Sequence, residues 1–261
     1  MTLFFLLPLS IVLVYSFLSK GDYGGVAGPA TLGNYGRFLD PLYLRILGRS
    51  FGMAVLTAVL CLISGYPLAY YIAFHGGKRK NLLLFLVVLP FWTSFLVRTY
   101  AWIFLLRDTG LINTLLIRLG VVETPLALLY NDGAVLVGLV YGFLPLMVLP
   151  LYGSLERLDR TLLEAAADLG ARPVAALARV TLPLTRPGIY AGSVLVFISA
   201  LGAYITPDLL GGGKSILIGT LVQNQFSTAR DWPFGSAVSL FLMVVVILLL
   251  QLYRKHGEVS A

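Results

Sequence analysis

Five stretches of this chain, residues 51–74, 82–106, 134–152, 188–205 and 235–253, each run for 18 residues or more and hold one charge between them, Arg98. A helix needs about 20 apolar residues to cross a bilayer, and a hydrocarbon interior leaves a chain little choice but to satisfy its backbone within helices. A sixth run, residues 3–18, is slightly shorter and is read as a retained helix rather than a cleaved signal peptide: it lacks a basic leading region, and Phe17-Leu18-Ser19-Lys20 is a poor cleavage site. The expected fold is therefore all-α, an integral membrane bundle of six spans forming a single domain over residues 1–261. With 58% hydrophobic and only 12% charged residues, against about 25% charged in soluble domains, a water-soluble core is excluded.

The charge pattern supports the same reading. The net charge of +7 sits between the apolar runs, where Lys and Arg serve orientation, and no basic-plus-aromatic platform for nucleic acid is present. Ten basic residues, Lys78, Arg79, Lys80, Arg157, Arg160, Arg172, Arg179, Arg186, Arg254 and Lys255, fall in the segments 75–81, 154–187 and 254–261, against eight in the longer opposite loops 19–49, 107–132 and 208–235. The denser set is expected in the cytoplasm, which places both termini there and makes 154–187 a cytoplasmic loop. Cys61 has no partner cysteine. His75 and His256 are the only histidines, so neither a disulfide nor a zinc-type ligand set is indicated. No Ser, His and acid set falls on one membrane face, and no enzymatic role is expected. Gly188 and Gly192, like Gly138 and Gly142, are spaced to let helix backbones approach.

The long loop at 154–187 is organised. At about 100° per residue, Leu155, Leu158, Leu162, Leu163, Ala166 and Leu169 fall on one side, while Arg160, Glu164, Asp168 and Arg172 descend the other. Asp159 can cap the start of a helix and Gly170 can end it in a left-handed conformation. A second helical stretch, residues 173–180, precedes Leu182-Pro183. The spacing predicts a helix-turn-helix elbow with one apolar face. A helix lying on anionic lipid favours a strongly basic polar face, and the alternating signs here suit a protein partner better.

Glu164-Ala165-Ala166-Ala167-Asp168-Leu169-Gly170, followed by Leu182-Pro183, resembles the EAA loop of ATP-binding-cassette importer permeases. Asn34-Tyr35, Gly65-Tyr66-Pro67-Leu68-Ala69-Tyr70, Leu89-Pro90-Phe91-Trp92-Thr93-Ser94, Arg98-Thr99-Tyr100-Ala101-Trp102 and Thr206-Pro207-Asp208-Leu209-Leu210-Gly211-Gly212 are similar to the first permease of spermidine/putrescine importers. The resemblance covers residues 15–237, and the short N-terminus departs from it. It implies a type I importer fold in a bacterial inner membrane and a second permease, making a heterodimer. It further implies two ATP-binding subunits that carry ATP and magnesium, and an external substrate-binding protein. This chain itself would bind no cofactor. Glu164, Ala165, Ala166, Asp168, Gly170, Leu182 and Pro183 are the residues it assigns to coupling with the ATPase.

Gly211-Gly212-Gly213-Lys214-Ser215 suggests a phosphate loop, but the position five residues before Gly213 is Asp208 rather than the required glycine; a flexible external turn is expected instead. For the solute path the candidates are Trp92, Thr93, Tyr100, Trp102, Tyr141, Tyr204 and Asp208, because aromatic faces attract ammonium groups and a carboxylate at the outer mouth favours a polycation. Trp and Tyr also anchor helices at membrane interfaces. Arg98 inside a span costs about 2.5–3.5 kcal/mol on the insertion scale and requires a partner or a wet cavity. Asp208 is the candidate partner, and a structural or snorkelling role is preferred to one in the path. A gradient-driven secondary transporter is the alternative from another class, but the internal repeats and mid-membrane acids of that class are not seen. A permease for another small solute is the nearer one.

Overall fold

In a computed structural model of the chain, residues 2–257 are described; the side chains of 2–5 and 252–257, including Arg254, Lys255 and His256, lie outside the described residues. The elements are helical apart from a two-residue antiparallel pairing of Ser19–Lys20 with Val26–Ala27. In chain order they are α1 (Thr2–Ser16), α2 (Pro41–His75), α3 (Lys80–Val88), α4 (Phe95–Leu106), α5 (Leu111–Arg118), α6 (Asp132–Glu156), α7 (Arg160–Asp168), α8 (Pro173–Leu184), α9 (Arg186–Leu201), α10 (Ile205–Gly211), α11 (Ile218–Ser227) and α12 (Trp232–Gly257).

By length and apolarity, four stretches among the described residues can cross a bilayer: Pro41–His75, Phe95–Arg118, Asp132–Glu156 and Trp232–Gln251; a fifth is the bent pair Pro173–Leu184 and Arg186–Leu201. This departs from the six spans expected at four places. Helix α1 has 15 residues, about 22 Å at 1.5 Å per residue, short of the ~30 Å core. The run at 82–106 is not continuous: Pro90 sits in a 3₁₀ turn, Leu89–Trp92, and the chain is extended at Thr93 before α4 begins. Helix α2 starts at Pro41, ten residues before the apolar run, because Arg45 and Arg49 end hydrophobicity without ending helical geometry. The run at 188–205 likewise stops at Leu201.

The chain divides into two compact units. The first holds the segment up to Met53, Trp102–Val135 and Leu201–Gln251. Here Asn34 donates 2.9 Å hydrogen bonds to the carbonyls of Ser16 and Leu18, satisfying the open end of α1. Arg37 pairs with the buried Asp231 at 2.8 Å and lies over the Phe234 ring, 3.9 Å from its centroid. Asp231 in turn accepts from the Phe234 N–H in the first turn of α12. Burial acts to lower the Arg37 pKa, but bonding to Asp231 and Tyr43 outweighs it and raises the value.

The second unit, Ala54–Ala101 with Leu136–Ala200, contains a core of Cys61, Ala69, Ile72, Met147, Val148, Leu151, Leu155 and Val196 from α2, α6 and α9. Close approach is built in. A Cβ on Gly192 would lie 2.7 Å from the Met147 sulfur, and one on Gly188 would lie 2.6 Å from the Pro150 carbonyl oxygen. The Gly188-x-x-x-Gly192 spacing thus seats the backbone of α9 directly on α6. Gly153, also on α6, faces open space. Gly188→Ala is accordingly expected to destabilise by about 1–3 kcal/mol, lowering the Tm of the detergent-solubilised protein by several degrees. Gly153→Ala should leave it unchanged; equal Tm values for the two variants would refute the packing argument.

Candidate functional site

The elbow forms, with two differences from the expected geometry. Helix α6 ends at Glu156, and Asp159 is extended, so Leu155 and Leu158 do not share a helical phase with Leu162. The break is chemical: the Asp159 carboxylate accepts from the Thr161 N–H at 3.0 Å and starts a new helix. That backbone hydrogen bond holds the Asp159 carboxyl below its ordinary range. Helix α7 closes with a Schellman arrangement, in which the Gly170 N–H donates to Ala167 at 2.8 Å and the Ala171 N–H to Ala166 at 2.9 Å. Gly170 has φ +78° with open space beyond its Cα, so what it supplies is a backbone conformation. Pro173 then opens α8 at its first turn, where its missing N–H costs nothing.

The second difference concerns the apolar face. Leu163 and Ala166 are half-buried, whereas Leu162 is exposed. At the turn, Leu169 is 89% exposed and Val174 76% exposed. The hairpin therefore carries an uncovered apolar tip, bordered by Glu164, Ala165 and Asp168, all exposed. Glu164 and Asp168 enter none of the three ion pairs among the described residues. Val174 was missed by the sequence reading; its signal was an apolar side chain next to the turn proline. Arg160 does not run with Glu164 but turns back, donating to the Ala73 carbonyl at 3.3 Å in the last turn of α2 and lying over the Phe74 ring.

The feet of the hairpin are fastened. Lys80 and Glu156 form an ion pair at 2.5 Å, joining the start of α3 to the end of α6. On the returning side, α8 is wound as a π-turn over Leu177–Thr181 before Leu182-Pro183, and α8 meets α9 at 69°. Pro183 has no N–H to give the Arg179 carbonyl. Leu182 packs on the core. At the corner, Thr185 donates to the Thr181 carbonyl at 2.8 Å, so the Tyr66 hydroxyl, 3.0 Å away, is the donor to Thr185. Both side chains are buried. Under the hairpin lies an apolar cavity of about 440 Å³ lined by Tyr66, Tyr70, Tyr71, His75, Pro173 and Val174 among others.

The proposed path residues divide between the two units. In the second unit, Trp92 is exposed and edge-on to Phe85 with centroids 5.4 Å apart, and Thr93 donates to the Pro90 carbonyl at 2.7 Å. Tyr100 is exposed on α4, and Tyr141 lines a second cavity of about 280 Å³ with Pro90 and Pro145. In the first unit, Trp102 is half-buried, Tyr204 stands exposed just before α10, and Asp208 is exposed in the first turn of that helix. Arg98, proposed to pair with Asp208 or to snorkel, enters none of the ion pairs among the described residues. Its Nε and Nη1 are buried without a hydrogen-bond partner among the described residues, while the residue as a whole is half-buried.

The glycine-rich turn is not loose. Gly212 and Gly213 adopt φ of +58° and +75°, and Gly212 packs against Tyr130. Ser215 donates to Asp132 at 2.5 Å, Arg49 donates to the same carboxylate oxygen and, at 3.1 Å, to the Lys214 carbonyl, and the Ile218 N–H donates to Ser50 at 2.8 Å. Residues 211–218 are thereby tied to α2 and α6, next to α10 and Asp208 in the same unit.

Residues 65–256 match the family described as "Binding-protein-dependent transport system inner membrane component". The chain is 45% identical over 258 residues, covering 99% of itself and 94% of the relative, to the spermidine/putrescine transport system permease protein PotB of Escherichia coli. It is 44% identical over 255 residues, covering 98% of itself and 89% of the relative, to that of Haemophilus influenzae. A bacterial alginate ABC transporter in complex with an alginate pentasaccharide-bound periplasmic protein shares the fold, at a TM-score of 0.72 and 16% identity over 88% of this chain and 84% of that one.

The Tyr66–Thr185 bond can be tested directly. Thr185→Val orphans the buried Tyr66 hydroxyl and is expected to cost about 1–3 kcal/mol, read as a lower Tm. Adding Tyr66→Phe should return part of that loss, since the two changes share one interaction; strictly additive losses would show the contact to be energetically empty.

Proposed function

The chain belongs to the family of binding-protein-dependent transport system inner membrane components, and we propose that it forms the solute path of an ATP-driven polyamine importer. The observation that carries the reading is near-full-length identity to spermidine/putrescine permeases in a chain that presents a rigidly footed hairpin with an uncovered tip. The partners are a second permease, two ATPase subunits holding ATP and magnesium, and an external binding protein. The termini and residues 154–187 face the cytoplasm. A gradient-driven transporter is not favoured.

In this mechanism the ATPase pair closes on ATP and moves the hairpin tip. Leu169 and Val174 enter an apolar cleft, Ala165 and Ala166 permit close docking, and Glu164 offers an unpaired carboxylate to the partner. Movement passes through Leu182, Pro183 and the Tyr66–Thr185 bond into α2 and α9, shifting populations between inward-open and outward-open states. At the outer side Asp208 attracts the polycation, and the exposed aromatic faces of Trp92, Tyr100, Tyr141 and Tyr204, with the half-buried Trp102, solvate its ammonium groups as they shed water. Thr93 offers a hydroxyl oxygen to the same groups.

Two experiments follow. In proteoliposomes holding the complete transporter, Gly170→Val forces a β-branched residue to φ +78°, at about 1–2 kcal/mol of strain, and spermidine uptake is expected to fall at least tenfold with membrane insertion intact. Gly170→Asn, which tolerates that conformation, should keep most activity; normal uptake by the valine variant would remove the hairpin as the coupling device. Tyr204→Ala combined with Asp208→Asn should raise the KM for spermidine several-fold or more, and unchanged uptake kinetics would take both residues out of the path.

A further inference from the structure

Tyr23 is 98% exposed, more than any other large apolar or aromatic side chain among the described residues, yet the segment that carries it is firmly built. It sits between Ser19–Lys20 and Val26–Ala27, the one pair of strands among the described residues. The Gly24 N–H donates to the Gly21 carbonyl at 2.9 Å, closing a turn with Asp22 and Tyr23 at its centre. Below the turn, Ser19 donates to the Pro29 carbonyl at 2.9 Å and the Thr31 N–H to the Phe17 carbonyl at 2.6 Å. The tip is thus shaped before anything meets it, which removes part of the ordering cost of association.

The turn is also fastened to the start of α12. The Gly25 N–H donates to the Arg230 carbonyl at 2.8 Å, and a Cβ on Gly24 would lie 2.6 Å from the Arg230 Cβ. Arg230 provides this seat at φ +49°, a left-handed conformation that strains an arginine and would not strain a glycine. Its neighbour Asp231 accepts from the Phe234 N–H and pairs with Arg37. A load on Tyr23 therefore reaches the first turn of α12 through one hydrogen bond and a short, rigid stretch of backbone.

What covers the tip must suit a ring and charges of both signs, since Lys20, Asp22 and Arg230 around Tyr23 are all exposed. Acyl chains offer those charges nothing. A folded protein surface can match both signs around a central aromatic, and a tyrosine among glycine and aspartate on a stiff loop presents contact area at little entropic cost. Helix α2 is long and apolar enough to cross the bilayer, and its last turn bonds Arg160 of the hairpin. The segment before α2 is therefore external when the hairpin is cytoplasmic, and a chain of a binding-protein-dependent family has a protein to receive on that side.

We propose that the turn at 21–24, with Tyr23 at its tip, is a docking contact for the external binding protein. The inference deepens the permease reading above and rests on it, because it requires that partner.

The test uses the complete transporter in nanodiscs with its purified, spermidine-loaded binding protein. ATP hydrolysis by the wild type is expected to rise saturably with binding-protein concentration. Tyr23→Ala should raise the half-saturating concentration at least fivefold while the plateau rate and Tm stay unchanged, because a side chain this exposed adds nothing to the packing. Tyr23→Trp should stay near the wild-type value. Benzoylphenylalanine in place of Tyr23, irradiated in the same mixture, should give an adduct with the binding protein. A wild-type half-saturating concentration for Tyr23→Ala, or adducts to lipid or the second permease alone, would overturn the proposal. If the wild type itself were not stimulated at any binding-protein concentration, the permease reading would fall and take this contact with it, an outcome distinct from failure of Tyr23 alone.

Discussion

The backbone of α9 rests on α6 at Gly188 and Gly192 with no room for a side chain between them, and much of the working geometry follows from that approach. Helix α6 leads into the hairpin at Glu156 and α9 leaves it at Arg186. Clamping the two helices fixes both feet of the hairpin a short distance from the core. Motion imposed at the tip is then passed to packed helices rather than absorbed by slack connections. Close packing transmits displacement because cores have few alternative arrangements.

Within the hairpin, each turn is produced by a residue whose chemistry admits little else. Asp159 caps, Gly170 takes the left-handed conformation, Pro173 restarts the helix, and Pro183 withholds a donor at the corner. What is left outward is an apolar tip and two carboxylates that enter no ion pair among the described residues. The same economy holds in the first unit, where the Asp132 carboxylate accepts from Arg49 and Ser215 together and converts a run of glycines from a flexible turn into a pinned one.

Much of this was legible in the chain. The charge-free runs at 51–74, 134–152 and 235–253 fall within the long apolar helices α2, α6 and α12 because hydrocarbon tolerates little else, and Asp159 and Gly170 marked the ends of α7 because capping is local chemistry. Boundaries were less legible where hydrophobicity and helicity part company: Arg45 and Arg49 end an apolar run without ending α2, while the turn around Pro90 breaks a helix inside one. The helical wheel through Leu155 and Leu158 failed for a related reason, since periodicity presumes a continuous helix and Asp159 interrupts it.

By itself the sequence determined the class of the fold, the place of the elbow and the residues that turn it, because solvation of the backbone and local capping depend on near neighbours in the chain. Only the tertiary structure decided which apolar side chains the elbow leaves bare, that Tyr66 donates to Thr185, that Arg160 turns to the end of α2, and that Arg98 meets no carboxylate among the described residues. Those outcomes depend on which distant segments pack together, and no spacing along the chain encodes the distance between side chains on different helices.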